Sequence, residues 1–119
     1  MSDFDEVSAD LQKPRPVQHT AQVRVYLLTE NRPAGEVLSA ALPDYKLYLP
    51  RSPQEAAFIR KVAMKSEAEF RAECERVAKI IAPHVPAQSS LSCVYDDDKG
   101  RTTFNVEMEK TGDTEFKVR

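Results

Sequence analysis

Three consecutive aspartates, Asp96, Asp97 and Asp98, followed by Lys99 and Gly100, form the densest group of hard oxygen ligands in the chain. Calcium and magnesium prefer such donors, but a helix-loop-helix calcium site alternates its acids before a fixed glycine and closes with a glutamate. Here the acids are adjacent, so on a strand they point to opposite faces, and no acid stands at the closing position. The stretch reads as a solvated hairpin turn with an acidic contact surface at Asp96, Asp97, Asp98 and Lys99, and no metal is expected.

Nucleophilic catalysis would need Cys74, Cys93 or a serine beside a histidine and an orienting carboxylate. The histidines are His19, at the end of an N-terminal segment, and His84, between Pro83 and Pro86. His84 follows a helical pattern and suits the last carbonyls of that helix. No local spacing joins either histidine to a nucleophile. Gly35, Gly100 and Gly112 are isolated, so no loop cradles a phosphate. Catalytic residues and cofactors are therefore not expected, and the chain reads as a non-enzyme.

A third chemistry is suggested by Arg24 and Tyr26 together with Tyr45, Lys46, Tyr48 and Arg51, where cations interleave with aromatic rings. Surfaces of that kind bind single-stranded nucleic acid through stacking and backbone charge. The chain as a whole carries 17 basic and 19 acidic residues, a formal net charge of −2, which supplies no long-range attraction for nucleic acid or anionic lipid. Nucleic-acid binding through Arg24, Lys46, Tyr48 and Arg51 is accordingly the alternative reading.

The elements that must position these residues follow from apolar spacing. In "AQVRVYLL" Val23, Val25 and Leu27 alternate with Arg24, Tyr26 and Leu28, the period of two of a strand with one face on a core. "EVLSAAL" suits a short helical turn stopped by Pro43, and "DYKLYLP" alternates again to give a second strand. Ser52-Pro-Gln-Glu55 carries the residues of a helix start: a capping hydroxyl, proline at the first position and a glutamate that can reach back. From there Ile59, Ala63, Phe70, Cys74, Val77 and Ile81 form one apolar stripe without a change of phase. The spacing predicts one helix over 53–81, bent near 65–67 where Ser66-Glu-Ala-Glu69 repeats the start signal; two helices are the alternative. Phe58, Val62 and Ile80 widen the stripe enough for a second subunit to pack on it.

"SSLSCVY", "RTTFNVEME" and "TEFKVR" alternate as strands, separated by "DDDKG" and "KTGD". The predicted fold is α+β, a small antiparallel sheet in the order β-β-α-β-β-β with one long amphipathic helix on one face. The 119 residues suit one domain over 21–119, preceded by an acidic, proline-containing tail over 1–20 that is expected to be flexible. No apolar run approaches the roughly 20 residues of a membrane span, and an acidic N-terminus is unlike a secretory signal. A cytoplasmic location is expected, with Cys74 and Cys93 as buried thiols.

These readings favour a small non-enzymatic protein-binding module of the adaptor or inhibitor kind. Its partner is expected to be another protein or a second copy of the chain, contacted through a sheet edge, the acidic hairpin or a helix face carrying Phe58 and Val62.

Overall fold

In the computed structural model the described residues are 20–111 and 115–119. The predicted tail, apart from Thr20, lies outside them, as do His19 and Gly112. The fold class is α+β: a six-stranded antiparallel sheet with a long helix and a short one on one side. In chain order the elements are β1 (Gln22–Leu28), α1 (Gly35–Ala41), β2 (Lys46–Tyr48), β3 (Glu55–Lys61), α2 (Glu67–Ile81), β4 (Ser90–Asp96), β5 (Thr102–Lys110) and β6 (Phe116–Val118). Across the sheet the order is β2-β3-β1-β4-β5-β6, so the first strand lies inside the sheet, with β3 and β4 along its two edges.

The structure corrects the reading of 53–81 as one helix. Residues 55 to 61 form β3, whose seven residues pair along the whole of β1, from Leu28 opposite Glu55 to Gln22 opposite Lys61. Ser52 caps a turn instead of a helix: its Oγ accepts from the Gln54 amide at 3.2 Å, and its carbonyl accepts from the Glu55 amide at 3.3 Å. Arg32 fastens that turn by donating to the carbonyls of Pro50, Ser52 and Glu55. Alanine is the best intrinsic helix former, but helix propensity amounts to only a few tenths of a kcal/mol per residue, and a fully paired place beside the central strand overrides it.

The second start signal is the true one. Ser66 has extended dihedrals (φ −155°, ψ 164°), and its Oγ accepts from the Glu69 amide at 3.1 Å. The Glu69 carboxylate in turn accepts from the Lys65 amide at 2.6 Å. Two orphan donors at the helix start are thus satisfied from one serine and one glutamate, a variant of the capping box. Ser66→Ala is expected to lower stability by about 1 kcal/mol in urea denaturation. Ser52→Ala should leave the helical circular dichroism signal unchanged.

Helix α2 buries Phe70, Cys74, Val77, Ala78 and Ile81 against the inner face of the sheet, where Val23, Val25, Leu27, Phe58, Leu91, Cys93, Val106 and Met108 are also buried. Leu38 of α1 and the following Leu42 complete the layer at the β2 side. At the far end of α2 the chain continues through a 3-10 turn, Ala82–His84. There the buried ammonium of Lys110 donates to the carbonyls of Ala82 and Val85 at 2.8 and 2.6 Å. A cation at the negative end of a helix, bonded to the Ala82 carbonyl that also accepts from the Val85 amide and to the Val85 carbonyl beyond it, closes the core on that side.

Among the described residues, no helix is long and apolar enough to cross a membrane.

Candidate functional site

Both described helices lie on the inner side of the sheet, and the opposite face is open. Antiparallel register sorts its side chains into rows. Tyr26 on β1 has Ala57 beside it on β3 and Tyr48 beyond that on β2; towards the other edge it has Ser92 and then Glu107. In the next row Leu28 stands between Glu55 and Ser90, with Glu109 beyond. In the row before, Arg24 stands between Ile59 and Val94, with Lys46 and Asn105 outside them.

Ala57 is short and the two tyrosines flanking it are long, so the face is concave there. The hollow has a volume of about 580 Å³ and is lined by Tyr26, Leu28, Tyr48, Leu49, Pro50 and Ala57 among others. Tyr26, Leu28, Tyr48 and Leu49 remain 41, 52, 43 and 46 % exposed, the most accessible large apolar side chains of the fold together with Val37 and Val118. Apolar side chains scattered singly over a surface need no explanation, whereas a contiguous cluster in a hollow marks a place of contact.

The charges of the face divide into used and unused ones. Arg24 Nη2 donates to Asp96 Oδ1 at 3.0 Å, and Nη1 donates to the Tyr26 hydroxyl at 2.6 Å. Arg24 Nε is 2.7 Å from Asp96 Oδ2, an ionic contact in which its hydrogen is not aimed at an acceptor. Burial alone would raise the Asp96 pKa. The hydrogen bonds from Arg24 and Gln22 and the Arg24 charge outweigh it and hold the carboxyl below its ordinary range. By contrast, among the described residues no ion pair involves Lys46, Glu107 or Glu109. The Lys46 ammonium rests 5.5 Å from the centre of the Tyr48 ring.

Of the residues singled out by sequence, Arg24, Lys46 and Tyr48 share this open face, but β1 and β2 are not neighbours, since β3 separates them. Arg51 is exposed in the turn beyond β2. In the hairpin, Asp96 belongs to β4 and is held by Arg24. Asp97 shapes the turn, its Oδ1 accepting from the amides of Lys99 and Arg101 at 2.9 Å each. Those amides, the Arg101 bond foremost, hold its pKa below the ordinary value. Asp98 and Lys99 point outward and are exposed.

Phe58 lies on β3 with its ring in the core, 1 % exposed, and Val62 is half-buried and packed against the core. Neither stands on a helix face, because the helix begins after them. His84 is exposed at the end of the 3-10 turn. Cys74 of α2 and Cys93 of β4 are free and buried, and they meet across the helix-sheet seam. Hydrogen bonding to Cys74, together with burial, raises the Cys93 pKa far above the ordinary thiol value and keeps that thiol protonated.

Leu28, Leu49, Pro50 and Ala57 are the residues that sequence reasoning passed over. A signal for one of them was present, since Leu28 shares the outward side of β1 with Arg24 and Tyr26 and is apolar where a solvated strand face would be polar. Compared with protein-family models, with curated proteins and with solved structures, the chain matches none.

Proposed function

We propose that this chain is a non-enzymatic protein-binding module that docks another protein surface on the open face of its sheet. One observation carries the reading: Tyr26, Leu28, Tyr48 and Leu49 form a contiguous, half-exposed apolar patch around a hollow of about 580 Å³. Aromatic and aliphatic side chains at the centre of a surface, with charges towards its margins, have the anatomy of a protein interface. The nucleic-acid alternative draws on the same face through Tyr26, Tyr48 and Lys46. It is disfavoured because Arg24 is neutralised by Asp96, while Glu55, Glu107 and Glu109 stand in the same rows.

A photoreactive benzoylphenylalanine in place of Tyr48, compared with one in place of the exposed Ala72 on the outer side of α2, tests the proposal in cells producing the full chain. Irradiation is expected to yield a protein adduct from position 48 and little from position 72. Equal labelling at the two positions, or no protein adduct from position 48, would overturn the reading.

A further inference from the structure

Thr20 leads into β1 at the end of the sheet away from the hollow. Ala21 is fixed there, because its carbonyl accepts from the Val62 amide at 3.0 Å. Residues 1–19 lie outside the described residues, and their sequence holds an apolar pattern of its own. Between Ser2 and Lys13 the large apolar side chains are Phe4, Val7 and Leu11, three and four residues apart, a spacing that lines one side of a helix. Ser2 and Asp5 have the spacing of a helix start, and Pro14 marks a stop.

We infer that residues 3–11 dock on the open face of their own chain as a short amphipathic helix, laying Phe4, Val7 and Leu11 into the hollow beside Tyr26, Leu28, Tyr48 and Leu49, and that a partner protein must displace them. The inference rests on the reading of the face as a docking surface and names what holds that face until the partner arrives.

Reach and apolar pattern select this occupant. Charge does not, since Lys46, Lys117 and Arg119 share the face with Glu55, Glu107 and Glu109. From Ala21 to the rows of Tyr26 and Leu28 is five to seven residues of strand, about 17–23 Å, and a helix lies about 10 Å above the sheet it covers. The tether must therefore span about 20–25 Å. Residues 12–20 include Pro14 and Pro16, which favour an extended path, and nine residues at about 3.1 Å each reach about 28 Å. Residues 3–11 make a helix about 14 Å long, the same as the three strand spacings from β2 to β4 that the hollow crosses. A helix that short is not stable in water by itself, so it forms against the face. A tether matched to its span gives an effective concentration on the order of a millimolar. Even a contact with a dissociation constant of about a millimolar then keeps the face half covered, and a tighter partner displaces it.

Irradiation of the purified full chain at micromolar concentration, with benzoylphenylalanine at position 48, tests this, and the circular dichroism spectrum of each variant is the folding control. The expected product joins position 48 to residues 2–13 at unchanged chain mass, as mapped by mass spectrometry of the digested protein. Phe4→Asp combined with Leu11→Asp should lower that yield about fivefold or more, whereas Ala9→Asp, on the opposite side of the helix, should leave it unchanged. In cells the double variant should raise the protein adduct from position 48 at least twofold, because the competitor is gone. No link to residues 2–13, a link found only in products of twice the chain mass, or yields indifferent to the double variant would overturn the inference and leave the protein-docking reading intact. No protein adduct in cells from either form would remove the docking reading and the inference with it.

Discussion

Phe70→Ala is expected to lower the unfolding free energy by about 3–5 kcal/mol, a large fraction of the stability of a domain this size. Phe70 is the first residue of α2 to enter the core and is fully buried. Its ring stacks on Phe104 of β5 with centroids 5.8 Å apart and tilts against Tyr95 of β4 at 6.2 Å; those two rings stack on each other at 5.7 Å. The same cluster fixes the chain that leads into the helix, because the Tyr95 hydroxyl accepts from the Met64 amide at 3.0 Å. Alanine therefore removes a large apolar surface and leaves a cavity where the helix start, the β3–α2 connection and two strands meet. Phe70→Leu keeps most of the volume and should cost about 1 kcal/mol. Urea denaturation monitored by far-ultraviolet circular dichroism distinguishes the two. A cost below about 1 kcal/mol for alanine would mean that the aromatic cluster does not anchor α2.

That cluster also shows why most of the fold was legible in sequence. Strands β1, β4 and β5 place apolar residues on alternate positions because their inner face meets helices, and a period of two survives in the chain. Strand β3 does not show it. Its inner residues are Ala56, Phe58 and Arg60, and its outer ones include Ala57 and Ile59, so both faces are largely apolar or ambiguous. With alanine twice and Ile59 at helical spacing from Ala63, the segment resembles the beginning of the helix that follows. The cause of the misreading and the candidate site are thus the same physical feature, an open face that is apolar where a solvated one would be polar.

Ser66 illustrates the complementary point. Cap residues are identified by the bonds they accept, and Ser52 and Ser66 carry nearly the same local signature. Only the pairing of β3 with both β1 and β2 decides that the first ends a turn and the second starts a helix. Likewise, the acidic hairpin stands out by composition, yet Asp96 and Asp97 are directed to Arg24 and to the backbone of the turn. Lys46, Glu107 and Glu109, which form no ion pair among the described residues, are far apart in sequence, and it is strand order that sets them on one face.

The position of Lys46 and Tyr48 depends in turn on a polar network on the helix side, and Glu73 is its hub. Glu73 Oε2 accepts from the Tyr45 hydroxyl at 2.6 Å, from Arg60 Nη1 at 3.1 Å and from Arg76 Nη2 at 2.8 Å; Oε1 accepts from Arg76 Nε at 2.9 Å. Arg76 also donates to Asp44 at 2.9 Å. The network joins α2 to β3 and to the two residues that lead into β2. Glu73→Ala would strand the buried Tyr45 hydroxyl and two partly exposed guanidinium groups, and is expected to cost about 2–3 kcal/mol, discounted for the solvent that still reaches both arginines. Because Tyr45 holds the start of β2, amide hydrogen exchange should accelerate at Leu47 and Tyr48 more than at the centre of β1.

The charge of Glu73 gives the same network a pH signature. Burial by itself would raise its pKa, but hydrogen bonds from Arg76 and Tyr45 and the charges of Arg76 and Arg60 prevail and hold it below the ordinary value. A carboxylate whose folded pKa lies below its unfolded value of about 4.3 contributes stability that is fully present above that value, and the contribution is lost as pH falls through the folded pKa. Glu73→Gln keeps the shape and removes the charge. The gap in urea stability between the parent chain and Glu73→Gln should therefore be constant from about pH 5 to 7 and shrink towards pH 3. An equal gap at pH 7 and pH 3 would show that the ionised carboxylate contributes nothing beyond its shape. A shrinking gap accompanied by faster exchange at Leu47 and Tyr48 would show that the strand presenting Lys46 to the open face is held from behind by this one buried charge.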